Sequence, residues 1–367
     1  MSRVTVLVLA PDPPSDAGPL ERTLFAARRE LADRQHGRFL AANADEVVLA
    51  GGPADDTPFG ARLRAFVLDR RPAGIVVLGG GSVPLATSAD LRTFVQAAAS
   101  PTRGALANNR YSADIVAVSC ASEVLRDVPD LPADNALPRW LDENALIPVA
   151  DLRGRRRLAV DVDSPLDLVL LEGAARERRD ASRGDWPVLD AGSAAVVRER
   201  IGAIRGVTRD PSAELLVAGR VSAAEVRWLE RGTAARSRVL IEERGLRAAS
   251  HLALAPGRVI DRRREPSSVL GGLLDRDGPE RFGDLVATLA DAALIDTRVL
   301  LAHRLGADER RWPAPEDRFA SDLLLAESIR DPWLAALTRS ARDAPIPVVF
   351  GGHTLVGPGL ALALAER

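Results

Sequence analysis

The sequence predicts an α/β protein of two domains, the first on a Rossmann-like, mainly parallel sheet and the second helix-rich. Three observations carry this. Short, branched apolar runs alternate with stretches of helical spacing. The runs are bounded by Gly, Pro or polar residues, as buried strands are. The length, 367 residues, is that of two ordinary domains. Hydrophobic residues make up 46% and aromatics only 4%, so both cores are expected to be aliphatic.

Taken in order, the first half offers strands at 4–9, 46–49, 74–78, 115–119 and 157–160. Helices are expected at 20–34 and at 88–99, where Ser88 and Asp90 supply a cap and a first-turn acid. The charged, Arg-rich stretch 173–186 reads as a helix end or linker, dividing the chain into domains 1–180 and 190–367. The second half offers strands at 214–218, 238–242, 293–301 and 346–350. Its helices are expected at 223–231, 267–276, 279–289, 317–330, 332–341 and 355–366. Helices outnumber strands there, which predicts a small sheet.

Composition excludes several chemistries. The net charge of −2 lacks the basic excess of a dedicated nucleic-acid binder. Cys120 stands alone, so neither an intrachain disulfide nor a multi-cysteine metal site is possible. No run approaches the roughly 20 apolar residues of a membrane span. The apolar run after Arg3 reads as a first strand rather than a signal peptide, which makes the cytoplasm the expected compartment. Lysine is absent and all 49 basic residues are Arg. Schiff-base chemistry and a Walker-A loop are therefore out, and any phosphate grip must use Arg, backbone N–H groups or a metal.

Three clusters in the first half bear on function. Gly79, Gly80, Gly81 and Ser82 follow a buried strand, where glycine lets backbone approach a ligand, or simply makes a tight turn. Asn108, Asn109 and Asp114 form a polar run before the strand at 115–119, suited to a base or sugar or to an Asx turn. Asp161 and Asp163 alternate at the end of the run 157–160, so an extended chain points both carboxylates one way. Such a pair suits Mg²⁺ beside a triphosphate. Ser164 and Pro165 open a helix after them, and the acids and serine also have a capping reading.

The stretch 74–171 resembles nucleotidyltransferases of the molybdenum-cofactor guanylyltransferase (MobA-like) and phospholactate guanylyltransferase type. The likeness rests on VVLGGGSVPLATSADLRTF, on AVDVDSPLDLVLL and on the intervening DLPADNALPRWLDE. It implies a fold shared with nucleotide-diphospho-sugar transferases. It also implies an NTP or nucleotide-linked substrate, Mg²⁺ held by Asp161 and Asp163, and NMP transfer to a phosphate or carboxylate acceptor. Two features depart from the family. The first strand leads into APDPPSDAGPLER rather than a Gly-rich loop, and Gly-Gly-Gly-Ser replaces the acid expected before Val83. The alternative is a catalytically degenerate nucleotide-binding sensor or scaffold.

In the second half, charges directly follow apolar strands at Gly219-Arg220 and at Glu242-Glu243-Arg244. Asp296 and Arg298 fall inside an apolar run, where they are expected to share a strand face and to need partners such as Glu243 or Arg318. His353 follows a double glycine. Arg244, Arg247, Asp296, Arg298 and His353 are therefore candidates for a second pocket, with its own chemistry or with structural roles. A small-molecule partner is expected, and a homodimer is compatible with the second half.

Overall fold

The computed structural model describes residues 3–53, 55–177, 189–244 and 265–365. The chain forms two compact units. One comprises residues 1–17 and 25–162, the other 18–24 and 163–367.

The first unit is built on a six-stranded sheet. Its strands are β1 (Val4–Leu9), β2 (Glu46–Ala50), β3 (Gly74–Gly79), β4 (Ala105–Ala107), β5 (Ile115–Ser119) and β6 (Val149–Asp151). Their spatial order is β2-β1-β3-β5-β4-β6. The pairings are parallel except those of β5, which runs against β3 and β4. One face buries Val4, Val6 and Val8 under Ala32, Phe39, Leu91 and Phe94. The other buries Leu7, Ile75 and Val77 under Leu63, Val67 and Leu137. This strict alternation is the period of two that covers both faces of a sheet with helices. Helix Ser88–Ala98 begins with a capping box: Thr87 accepts from the Asp90 amide and Asp90 accepts from that of Thr87.

The second unit holds four parallel strands, β7 (Glu214–Gly219), β8 (Arg236–Ile241), β9 (Ala292–Asp296) and β10 (Val348–Gly351). Their order is β10-β9-β7-β8, so the chain moves outward from β7 to β8, then returns past it to β9 and β10. The helix leaving β7, Ala223–Gly232, sets Leu229 against one face with Leu215, Val217 and Leu294. The helix leaving β9, Thr297–Leu305, sets Leu300 against the other with Leu216, Ala293 and Phe350. The connections diverge between β7 and β9, which is the topological switch point of an open α/β sheet.

Four expectations change. The run 157–160 is no strand: Arg156–Leu158 is a 3₁₀ turn, because Arg155 and Arg157 both turn to the buried Asp90. The run 293–301 is strand only to Asp296. Asp296 then caps the Arg298 amide, and Val299–Leu301 continue as helix. The expected helix 355–366 is two, His353–Val356 and Leu360–Leu364, parted by Gly357 and Gly359. The stretch 317–330 is a helix Pro315–Asp322 followed by a 3₁₀ turn. Strands β4 and β6 and helices Phe59–Arg70 and Ala191–Val207 were not anticipated.

The chain passes between units after Val162, ahead of the charged stretch where composition places the change. Helix Pro165–Glu177 belongs to the second unit because Leu166, Val169 and Leu170 lie in its core. Residues 178–186 of that stretch lie outside the described residues. Among the described residues, no helix is long and apolar enough to cross a membrane.

Candidate functional sites at two sheet edges

In the first unit the glycine cluster lies at the carboxyl end of β3, beside that of β1. Gly80 donates its amide to the Leu9 carbonyl at 2.8 Å. A Cβ at Gly80 would stand 3.0 Å from the Arg28 carbonyl, and one at Gly81 2.9 Å from the Val162 carbonyl. Arg28 closes the same spot by donating its Nε–H to that Val162 oxygen at 2.7 Å. These glycines thus permit close approach of the chain to itself, and none has a positive φ. The left-handed conformation falls instead on the buried Val83, at φ 45°. A β-branched residue there stores strain on the order of 1–3 kcal/mol. Residues 80–86 are buried throughout.

The polar run is also occupied locally. Asn108 is 3% exposed. Its amide group donates to Asp114 and to the Leu158 carbonyl, both at 2.8 Å, and its Oδ1 accepts from the Asp114 amide at 3.0 Å. Asn109 makes an Asx turn by accepting from the Tyr111 amide. Tyr111 has the guanidinium groups of Arg153 and Arg110 near its ring, at 5.0 and 5.6 Å from the centroid.

Asp161 does not end a strand. It makes one isolated bridge with Ser82 and accepts its own neighbour's amide, that of Val162, at 2.8 Å. Asp163 belongs to the second unit and is exposed. The helix start there is capped from within by Asp167, whose Oδ2 accepts from the amides of Asp163 and Ser164 and from the Ser164 hydroxyl. Burial, reinforced by the Asp163 charge, pushes the Asp167 carboxyl up to about 7. Among the described residues no group of three or more His, Cys, Asp or Glu side chains could hold a metal ion.

The strongest electrostatics of the first unit sit on Asp90, which has no exposed side-chain surface. It binds Arg157 through Nε and Nη2, both at 2.7 Å, and Arg155 at 2.8 Å. Burial alone would raise its pKa, but these bonds and those from Thr87 hold it well below the usual carboxylate range.

The second unit brings its charges to the switch point. Asp296, at the end of β9, takes two bonds from Arg220, just past the end of β7, at 2.6 and 3.1 Å. Gly219 has φ 127°, and a Cβ on it would collide with Asp296, so a glycine is required beside this pair. Arg298 clamps Asp322 through both Nη groups, Nη2 at 2.6 Å, and donates to Thr297 Oγ1 at 2.9 Å. The partners of the Asp296 and Arg298 charges are thus Arg220 and Asp322, not the expected Glu243 or Arg318. Burial would raise the Asp296 carboxyl, yet Arg220 and Arg298 bring it below its ordinary value. Burial would lower Arg298, yet Asp322 and Asp296 hold it above its ordinary value and fully protonated.

His353 reaches solvent, with Nδ1 3.1 Å from the Arg220 carbonyl. That carbonyl can only accept, so Nδ1 carries the hydrogen. The protein packed behind the ring and the Arg220 charge lower its pKa. Arg244 joins none of this: it pairs with Glu309 and lies 5.9 Å over Trp312. Arg247 lies outside the described residues. The residues that sequence reasoning left out of its candidate sites are Asp322, whose distant partner Arg298 leaves no local signal, and Asp167. Gly352 lies in the double glycine after β10 that the sequence marks as a candidate anion-binding turn.

No family model and no curated protein matches the chain. Among solved structures the chain is similar to a provisionally assigned nucleotide-diphospho-sugar transferase from Desulfovibrio desulfuricans G20. The likeness has 14% identity and a TM-score of 0.36, and covers 56% of this chain and 98% of that one.

Proposed function

We propose that the first unit is a nucleotidyltransferase-like domain that binds a nucleotide or nucleotide-linked small molecule at the carboxyl edge of its sheet without transferring NMP. One observation carries the absence of transfer. The glycine turn expected to meet the nucleotide is buried at residues 80–82 and closed by the chain's own atoms, with Arg28 on the Val162 carbonyl over Gly81. Ser82 stands where the family has an acid, and no lysine exists to grip a triphosphate. What remains at that edge for a ligand is the rim of Asn109, Arg110 and Tyr111 with Arg153, a half-buried aromatic ring flanked by two cations.

The second reading, an active Mg²⁺-dependent transferase, is favoured by Asp163, whose carboxylate is exposed, and by Asp161, which is half-exposed. Thermal melting with each NTP and with nucleotide sugars, with and without Mg²⁺, tests both. A ligand at about 100 times its dissociation constant stabilises by roughly 2.7 kcal/mol. A nucleotide shift without pyrophosphate release supports the binding reading. Metal-dependent pyrophosphate release abolished in Asp161→Ala establishes the transferase instead. No shift with any nucleotide removes both and leaves the topology.

A further inference from the structure

We propose that the second unit holds a separate oxyanion site, a cradle at Gly352 between Arg220 and Arg298 that takes the carboxylate or phosphate group of a small molecule. The place is where open α/β sheets bind ligands, at the carboxyl ends of the strands flanking the switch point. The donors are built in. Arg298 exposes only 9% of its side chain. Both its Nη groups serve Asp322 and Thr297, and among the described residues its Nε–H has no acceptor. Arg220 gives Nε and one N–H of Nη2 to Asp296, which leaves the second Nη2 hydrogen, like Nη1, without an acceptor among the described residues.

Gly352 lies between the two. The point where its Cβ would stand is 3.8 Å from Arg298 Nε and 4.0 Å from Arg220 Nη2. A ligand oxygen seated beyond that point, toward the two guanidinium groups, comes within hydrogen-bond reach of Arg298 Nε and Arg220 Nη2. The two carboxylates fix these groups in place and cancel their charge. The ligand therefore meets oriented N–H donors already held in position, the arrangement that makes Arg selective for carboxylate and phosphate. Tight pairing also explains why three ionisable side chains, Asp296, Arg298 and Asp322, persist here under burial.

The test uses the full chain and two probes, inorganic phosphate and acetate, titrated against sodium chloride at matched ionic strength and followed by calorimetry and melting temperature. Saturable binding of phosphate alone assigns a phosphate-bearing ligand, and of acetate a carboxylate. Gly352→Ala is the decisive variant. Its backbone, φ −101° and ψ −159°, suits any residue, and the added methyl meets only ordinary contacts. It is expected to melt with the native protein in chloride and to bind at least tenfold more weakly. Arg220→Lys, which keeps a cation beside Asp296 but loses the fork, is expected to weaken binding likewise. Neither probe exceeding chloride, or Gly352→Ala binding as well as the native chain, overturns the proposal. Nucleotide binding that survives in Gly352→Ala keeps this site distinct from that of the first unit.

Discussion

The carboxyl edges of the two sheets have the same ingredients, glycines after a strand with charged groups nearby, and use them in opposite ways. In the first unit the glycines bring backbone against backbone, and the buried acid, Asp90, is met by arginines that are themselves about two-fifths exposed. In the second unit Arg298 is buried with its acid Asp322, Arg220 is only 18% exposed beside the buried Asp296, and Gly352 leaves space beside them. Glycine after a strand is therefore ambiguous by itself. What separates a packed turn from a cradle is whether other parts of the chain fill the volume that the missing side chain vacates.

The sharpest way to break the comparison is to remove one acid from each edge. Asp322→Ala leaves the Arg298 charge buried without its clamp and should cost about 3–5 kcal/mol in urea unfolding. Adding Arg298→Met should recover most of that loss, since a buried pair is worth little more than a good apolar replacement.

Next in size is a pH effect carried by Asp167. Its folded-state carboxyl titrates near 7, above the unfolded value, so the native state holds the proton more tightly. Its contribution is full below about pH 4 and declines as pH rises through about 7, a loss of roughly 4 kcal/mol. Asp167→Asn keeps an acceptor for the helix amides and cannot ionise. It should abolish that slope and be the more stable protein at pH 8; an unchanged slope would assign the pH dependence elsewhere.

Asp90→Ala should cost less than Asp322→Ala, about 2 kcal/mol, because water reaches Arg155 and Arg157 once the acid is gone. Its sign with pH is opposite to that of Asp167. The carboxyl is held below its usual range, so its stabilisation is present above that range and is lost as pH falls through it toward the lower folded-state value. Equal losses for the two alanine variants would mean that exposure of the arginines does not separate the edges. Smallest of all, Asp163→Ala at an exposed position should change stability by less than about 0.5 kcal/mol, measured by thermal melting.

The alternation of apolar runs made most strands legible, and β1, β2, β3 and β5 stand where periodicity puts them. Strands β4 and β6 were not, because three residues are too few to show a period. The run 293–301 misled for a definite reason. Asp296-Thr297-Arg298 is a helix start, but the buried strand before it and the buried helix after it are equally apolar. Arg157 was read as strand because nothing local reveals Asp90, 67 positions away, that turns it aside.

Asp161 and Asp163 were legible as an acidic pair. Their division between two compact units was not, since it follows from which core claims Leu166.

What the chain's residues determined alone is the α/β class, the aliphatic cores, and the chemistries ruled out by having one cysteine and no lysine. Those follow from periodicity and inventory, which are local properties. Which carboxylate meets which guanidinium, and whether a glycine opens space or closes it, was decided by tertiary structure. Both depend on atoms brought together from distant parts of the chain, as Arg220, Asp296, Arg298, Asp322 and Gly352 are at one sheet edge.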